Sequence, residues 1–403
     1  MRLDRNVCIA VLFQVLLLMG CGKPEKKTHS VKVDSLPSPS SGIASEPYLV
    51  THDGTVYLSW LENQDTTSFL KYCRLEQNTW SQPVTIATGT SWFVNWADYP
   101  TIAFNDTAVI AHFLDRSGPG KYSYDVKYVV SKPDGSWSTP RLLNEDGKDA
   151  EHGFVSLVPF QDDFFASWLD GRNTSMEGME GMDHDGHGAM SLRAAIIGKD
   201  GIKKNEWLLD DRVCDCCQTS AAITANGPVV VYRDRTSEEV RDMSIVRWQD
   251  GAWTEPKSIY DDGWKIKGCP VNGPRVSSIE NNVAVVWYSA PDDSTQVKVA
   301  FSENGGKDFS EPVLINTKRM LGRVDIELLN GTDAAVSWIE NDSTQVAVVD
   351  AKGVHWRAAV AGISSERSSG FPQMTRRGDE LVFAWTDVES KSIKTAMVRF
   401  KSR

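Results

Sequence analysis

Several things are scarce in this chain, and each scarcity narrows its class. Positive charge is in deficit: 43 Lys and Arg face 54 Asp and Glu, a net charge of -11. A nucleic-acid partner calls for a basic footprint, so the balance argues against one. Long apolar runs are missing too. The run 7–19 is too short to span a bilayer as a mature helix, and no later stretch is long or apolar enough. Helix signals are nearly absent, and the apolar residues fall instead in short strand-like runs. Cysteine is sparse, at seven in 403 residues, yet Cys214, Cys216 and Cys217 crowd into four positions.

What is present begins at the N-terminus. Arg2 and Arg5 precede the apolar run 7–19, and Gly20 and Cys21 follow it. A short basic head, an apolar stretch and small residues before a cut are the features of an export signal. Leu18, Met19, Gly20 and Cys21 together resemble the bacterial lipobox. That resemblance implies a lipoprotein signal peptide at 1–20 and lipidation of Cys21. Gly22 follows it, not Asp, which implies the outer membrane, facing the periplasm. Residues 21–44, rich in Lys, Ser and Pro, read as a flexible tether. Cys73, Cys214, Cys216, Cys217 and Cys269 then lie in an oxidising compartment, where pairing is favoured. Their odd number leaves at least one free, metal-bound or joined to another chain.

The body of the chain repeats. An apolar strand ends near Trp and an acidic residue at Trp60 and Glu62, Trp168 and Asp170, Trp338 and Glu340, and Trp385 and Asp387. Phe113 with Asp115, Val229 to Arg233, and Trp287 with Tyr288 complete seven copies. An alternating strand follows each, and Trp80, Trp137, Trp253 and Phe309 open turns that close on Pro83, Pro140, Pro256 and Pro312. A unit of roughly fifty residues is the scale of a four-stranded propeller blade. The seventh copy stops short of its outer strand, and residues 29–34 are placed to supply it and close the ring. An open ring would leave unpaired edges. The expected fold is therefore an all-β, seven-bladed propeller over residues 45–403, with six blades as the alternative.

Ser302, Asn304, Gly306 and Phe309 match the Asp-box pattern with Asn for Asp and Phe for Trp; Ser131, Asp134, Gly135 and Trp137 form a looser copy. On these motifs the chain resembles the sialidase-like, Asp-box β-propellers. The resemblance covers nearly all of the mature chain and implies the fold, with the Asp boxes as structural turns away from the working face.

In propellers the innermost strand starts, and the second strand ends, on the face that carries the ligand. This rule gathers Asp98, Cys214 to Cys217, Cys269, Asn272 and Arg323 with Asp170, Arg172, Arg233, Asp234, Arg235 and Tyr288. A carboxylate repeated after Trp reads first as a structural hydrogen-bonding ring, as at Glu62, Glu340 and Asp387. The charges of the fourth copy are less repetitive and more site-like. The glycine-rich insertion 173–190 holds Met182, His184 and His187, thioether and imidazole groups suited to copper. Two readings of the sulfurs stand side by side. Cys269 bridges one of Cys214, Cys216 and Cys217 as a disulfide, or the thiolates hold a soft metal with His184, His187 and Met182.

Sialidases clamp a substrate carboxylate with three arginines and pair a Tyr nucleophile with Glu beside an Asp acid/base. By that resemblance Arg172, Arg233, Arg235, Arg275 and Arg323, with Asn272, are ligand-binding candidates. Asp98, Asp170 and Asp234 are candidate acids, and Tyr288 a candidate nucleophile. The family's first arginine has no counterpart at Ser45 to Tyr48, a departure that argues against sialic-acid hydrolysis. The reading is a lipid-anchored envelope propeller that binds a small anionic or glycan ligand, or a soft metal, on one face. The alternatives are an exo-sialidase or related glycoside hydrolase, and a copper-handling protein; an envelope protein is a further expected partner.

Overall fold

The computed structural model describes residues 31–174, 188–318 and 320–400. Seven antiparallel sheets form the blades of a propeller. The innermost strands of blades one to seven are Ile43–His52, Ile102–Phe104, His152–Phe160, Ser220–Thr224, Arg275–Ile279, Met320–Leu328 and Gln373–Arg377. Seven blades are thus observed, and the six-blade alternative falls.

The ring closes with chain from both ends. Lys32–Leu36 pairs antiparallel with Ser392–Arg399 as the outer strand of blade seven, with Val33 opposite Val398. Residues 32–36 are therefore strand and part of the propeller, although the sequence reading also gave them to the tether. The signal segment 1–20, the Cys21 lipidation site, and Met182, His184 and His187 lie outside the described residues.

The second strand of each blade sits between its neighbours and is buried on both sides. That is why these strands read as apolar runs instead of alternating ones. Gly227–Arg233 and Ala334–Glu340 are buried at every position. Trp60, Trp168, Trp287 and Trp338, one from each of four blades, are among the largest fully buried side chains and fill the layers between sheets.

Turns follow local chemistry. Asp53 and Gly54 both take positive φ (47° and 71°), as a two-residue hairpin demands. In the Asp-box turn, Asn304 Oδ1 accepts the Asp308 amide at 3.0 Å and Ser302 Oγ accepts the Gly306 amide at 3.0 Å. Gly306, at φ 80°, could carry no Cβ without striking Ile245 at 2.7 Å.

Candidate functional site

The starts of the inner strands are tied into one rim by hydrogen bonds. The Phe154 amide donates to Asp98 Oδ1 at 2.8 Å, and Thr219 Oγ1 donates to the Phe154 carbonyl at 2.9 Å. The Gln218 side chain donates to Ala97 O and accepts the Gly273 amide at 2.9 Å. Asn272 Oδ1 accepts the Arg323 amide at 2.7 Å, and Arg323 Nη1 reaches Gly370 O at 2.8 Å. Residues up to 273 positions apart in sequence, from Ala97 to Gly370, are thus tied together.

The arginines proposed as anion clamps are all engaged by the protein itself. Arg233 is 2% exposed. Its guanidinium donates to the carbonyls of Arg241 (2.6 Å), Asn272 (2.8 Å) and Tyr288 (2.7 Å), and lies over Trp264 at 4.8 Å. Arg323 lies over the Trp96 and Phe371 rings, at 4.9 and 5.8 Å, and donates to Ser369 Oγ at 2.7 Å. Arg275 meets Gln373 at 2.8 Å and Asp325 at 3.7 Å. Arg172 is held by Asp170 at 2.7 Å and Glu206 at 3.2 Å. Arg235 is held by Asp215 at 2.7 Å and Glu239 at 2.9 Å. Asn272 serves the same frame, its carbonyl and side-chain oxygen joining blades four, five and six.

The carboxylates divide into two kinds. Glu62, Asp170 and Glu340 accept the indole N–H of Trp60, Trp168 and Trp338, two residues earlier. Glu62 and Glu340 were anticipated from the repeat as structural; Asp170, a candidate acid, makes the same contact, while Asp387 accepts from the Ser390 amide and hydroxyl instead. Burial opposes ionisation of Asp170, but hydrogen bonds from Arg172, the charge of His152 and the Trp168 N–H outweigh it and hold its pKa down. Asp98 is different. Oδ2 is buried with no partner and lies 2.0 Å from where a Cβ on Gly153 would stand. Burial pushes its pKa well above the carboxylate range. Asp234 is pushed up by burial despite hydrogen bonds from the Arg235 amide and Ser244. The Tyr288 ring stands edge-on to Trp264 at 5.7 Å.

A pair that sequence reading missed lies beside Asp98. Tyr124 Oη donates to Glu151 Oε1 at 2.8 Å, and burial raises Glu151 to about 7. Nothing in the repeat marks Tyr124, because it sits at a third-strand start that varies from blade to blade.

The sulfurs converge. Val213 ends the outer strand of blade three, opposite Met190, and the chain turns at once. That turn brings Cys214 Sγ and Cys217 Sγ to 3.5 Å. Cys216 joins them, with all three sulfurs within 4.8 Å of one another. Cys269, from the connection between blades four and five, is not among the sulfurs within this distance, though its thiol pKa is lowered chiefly by Cys216. No disulfide forms among the described residues; Cys73 is buried elsewhere, in blade one. Cys214 and Cys217 have the C-x2-C spacing of metal knuckles, a signal present in the sequence but hidden by the intervening Cys216.

Positive charge backs the sulfurs. Arg241, buried and ion-paired to Glu239 at 2.6 Å, donates to Cys214 Sγ at 3.2 Å. Burial raises the Cys214 thiol to about 11. Burial also opposes ionisation of Cys217, but hydrogen bonds from Cys214 and Cys216 and the charge of Arg233 carry it well below the ordinary thiol value. The cluster thus has one sulfur disposed to be a thiolate, with two guanidinium groups at hand.

At the propeller axis lies a cavity of about 220 Å³ bordered by Tyr48, Arg275, Asp325, Glu327, Gln373 and Thr375. Tyr48, Tyr99, Phe371 and Trp96 form a chain of ring contacts, at 6.2, 6.0 and 5.9 Å, the middle one tilted.

No protein-family model matches the sequence, and no curated protein is significantly similar to it. Solved structures do share the fold. An endosialidase of phage phi92 superposes with a TM-score of 0.50 over 93% of this chain and 70% of that chain, at 9% identity. The polysaccharide lyase Uly1 gives 0.50 over 89% of this chain and 91% of its own, at 10% identity. A NanB sialidase variant from Streptococcus pneumoniae gives 0.45 over 91% and 70%, at 11% identity. At such identities the likeness is one of fold, and the expected sialidase-like propeller is observed.

Proposed function

We propose that this propeller binds a soft metal ion through the thiolates of Cys214, Cys216 and Cys217. The observation that carries the reading is the gathering of these three thiols within 4.8 Å of one another on one turn beside Arg241. A tetrahedral thiolate site with metal–sulfur bonds of about 2.3 Å has sulfurs about 3.8 Å apart. The 3.5 Å between Cys214 and Cys217 is near that spacing and far from the roughly 2.05 Å of a disulfide. An all-sulfur donor set suits zinc(II) or copper(I). The expectation of a lipid anchor at Cys21 puts this site in the cell envelope. Loss of lipid labelling in Cys21→Ala would support that placement, and unchanged labelling would remove it.

The test is metal analysis and titration of the reduced full-length protein. One ion per chain, with ligand-to-metal absorption from sulfur, is the expected result. Freely titrating thiols at Cys214, Cys216 and Cys217 that take up no zinc(II), cadmium(II) or copper(I) would sink the reading.

A second reading, a glycan ligand, is favoured by an aromatic ridge on the same face. Tyr122 is 49% exposed, Phe93 packs edge-on against it at 6.4 Å, and Arg116 and Lys121 lie over the two rings. The exposed Tyr122 ring gives an apolar edge on which a sugar can pack. Glycan-array binding that disappears in Tyr122→Ala would establish this reading, and an array without signal would dismiss it.

A further inference from the structure

We propose that the axial cavity is a binding site for a small uncharged sugar or polyol, separate from the sulfur turn and independent of the metal reading. The inner strands of six blades border it. On one side stand Ser156, Ser220 and Ser277, from blades three, four and five; on the other stand Glu327, Thr375 and Thr51, from blades six, seven and one. In a ring of seven blades these two arcs face each other across the axis.

The two walls offer different halves of a hydrogen bond. Ser156 Oγ accepts the Ala221 amide at 2.9 Å, Ser220 Oγ the Val276 amide at 3.0 Å, and Ser277 Oγ the Leu328 amide at 3.0 Å. Each serine is fixed in place by the amide of the next blade and still has its own proton to donate. Opposite, Thr375 Oγ1 donates to Glu327 Oε1 at 3.1 Å, and Thr51 Oγ1 lies 3.0 Å from Thr375 Oγ1. The Thr375 proton is directed at Glu327, so Thr51 donates to Thr375, and this wall keeps lone pairs with which to accept. A ligand hydroxyl both donates and accepts. A molecule carrying several hydroxyls around one small ring can therefore satisfy both walls at once.

The walls carry no uncompensated charge. Arg275 is met by Gln373 at 2.8 Å and Asp325 at 3.7 Å, and Asp325 also accepts the Ile326 and Met374 amides at 2.9 and 2.7 Å. Arg376 donates to the carbonyls of Leu328, Leu329 and Gly378. Burial raises Glu327 to about 8, so near neutral pH it is an uncharged acid. An ionic ligand would enter without a counter-charge, which is costly in a buried site. Size agrees: about 220 Å³ is below the roughly 300 Å³ at which pockets for drug-sized ligands begin, and suits a single ring. Toward the rim, the space bordered by Asp98, Tyr99, Thr101 and Gln218 narrows to about 10 Å³, room for no more than one water. Thr51, Glu327 and Arg376 lie near the far ends of their strands, so the ligand enters from the face opposite the sulfurs.

The experiment titrates the full-length protein near neutral pH, by calorimetry, with D-glucose, D-galactose and D-mannose. Galacturonate and galactosamine serve as charged counterparts. Saturable binding of at least one neutral sugar, in the millimolar range or tighter, is expected, with weaker or no binding of the charged pair. Thr51→Val and Thr375→Val should each weaken it on the order of tenfold. Glu327→Gln should retain it, because an amide also gives and takes a hydrogen bond. In wild type labelled at the threonine methyls, the sugar should shift the Thr51 and Thr375 resonances, a readout that needs no variant to fold. No binding of any neutral sugar, tighter binding of galacturonate or galactosamine, or binding untouched by Thr51→Val and Thr375→Val would overturn the inference. So would binding that vanishes in Tyr122→Ala while the Thr51 and Thr375 resonances stay still, which would move the sugar to the ridge. None of these outcomes bears on metal uptake, which is measured separately.

Discussion

Blades four and six follow one plan and finish their second strands with opposite charges. In blade six the strand ends on Glu340, which accepts the Trp338 indole at 2.9 Å and Thr317 Oγ1 at 2.8 Å. In blade four it ends on Arg233, with Val231 where Trp338 would stand. An arginine cannot accept from an indole. Its guanidinium instead reaches out of the blade to Asn272, Tyr288 and Arg241, beside the turn that carries the sulfurs. The same strand position is a local clamp in one blade and the footing of a site in the other. Repetition builds the frame, and the copy that breaks the pattern marks the chemistry.

The comparison can be broken experimentally, most forcefully at Arg233. Arg233→Met leaves three carbonyls without their donor in a buried setting, and about 3–5 kcal/mol of stability should be lost. Urea unfolding reads this directly; a loss below about 1 kcal/mol would make Arg233 no more of a footing than Glu340.

Next comes a carboxyl without any clamp. Glu46 is fully buried, its Oε2 has no partner, and burial raises it from 4.5 to about 8. A raised carboxyl holds its proton longer in the folded chain than in the unfolded one. Its contribution to stability is therefore whole below pH 4.5 and declines as pH climbs toward 8. Glu46→Gln should gain about 2–4 kcal/mol at pH 8, little at pH 4.5, and flatten the profile between them. Thermal melts across that range would show it, and parallel profiles for the two proteins would refute it.

Gly153→Ala places a methyl against Asp98 and should cost about 1–3 kcal/mol by overpacking. Glu340→Gln keeps an oxygen for the indole and should cost only about 1 kcal/mol. If Glu340→Gln proved as damaging as Arg233→Met, the contrast between frame and footing would collapse.

Much of the frame was legible because it is periodic. Trp60, Trp168 and Trp338 announce strands buried on both sides, and the missing outer strand after Arg399 pointed to chain from the N-terminus. The site was legible only as a list. Cys214, Arg233, Asn272 and Arg323 were all singled out, but residue type does not reveal which arginine already has partners. Tyr124 and Glu151 were not recognised as a pair, and the part played by Arg241 was lost in a run of mixed charge. Their partners are fixed by how neighbouring blades pack, which has no local signature.

By itself, the order of residues determined the repeat and the all-β propeller class and favoured seven blades, because strand period and turn chemistry act over a few residues. Only the closed ring decided which groups touch. It set Arg241 against Cys214. It also gave each candidate arginine partners within the protein, since hydrogen-bond partners are chosen in space, after the sheets have packed.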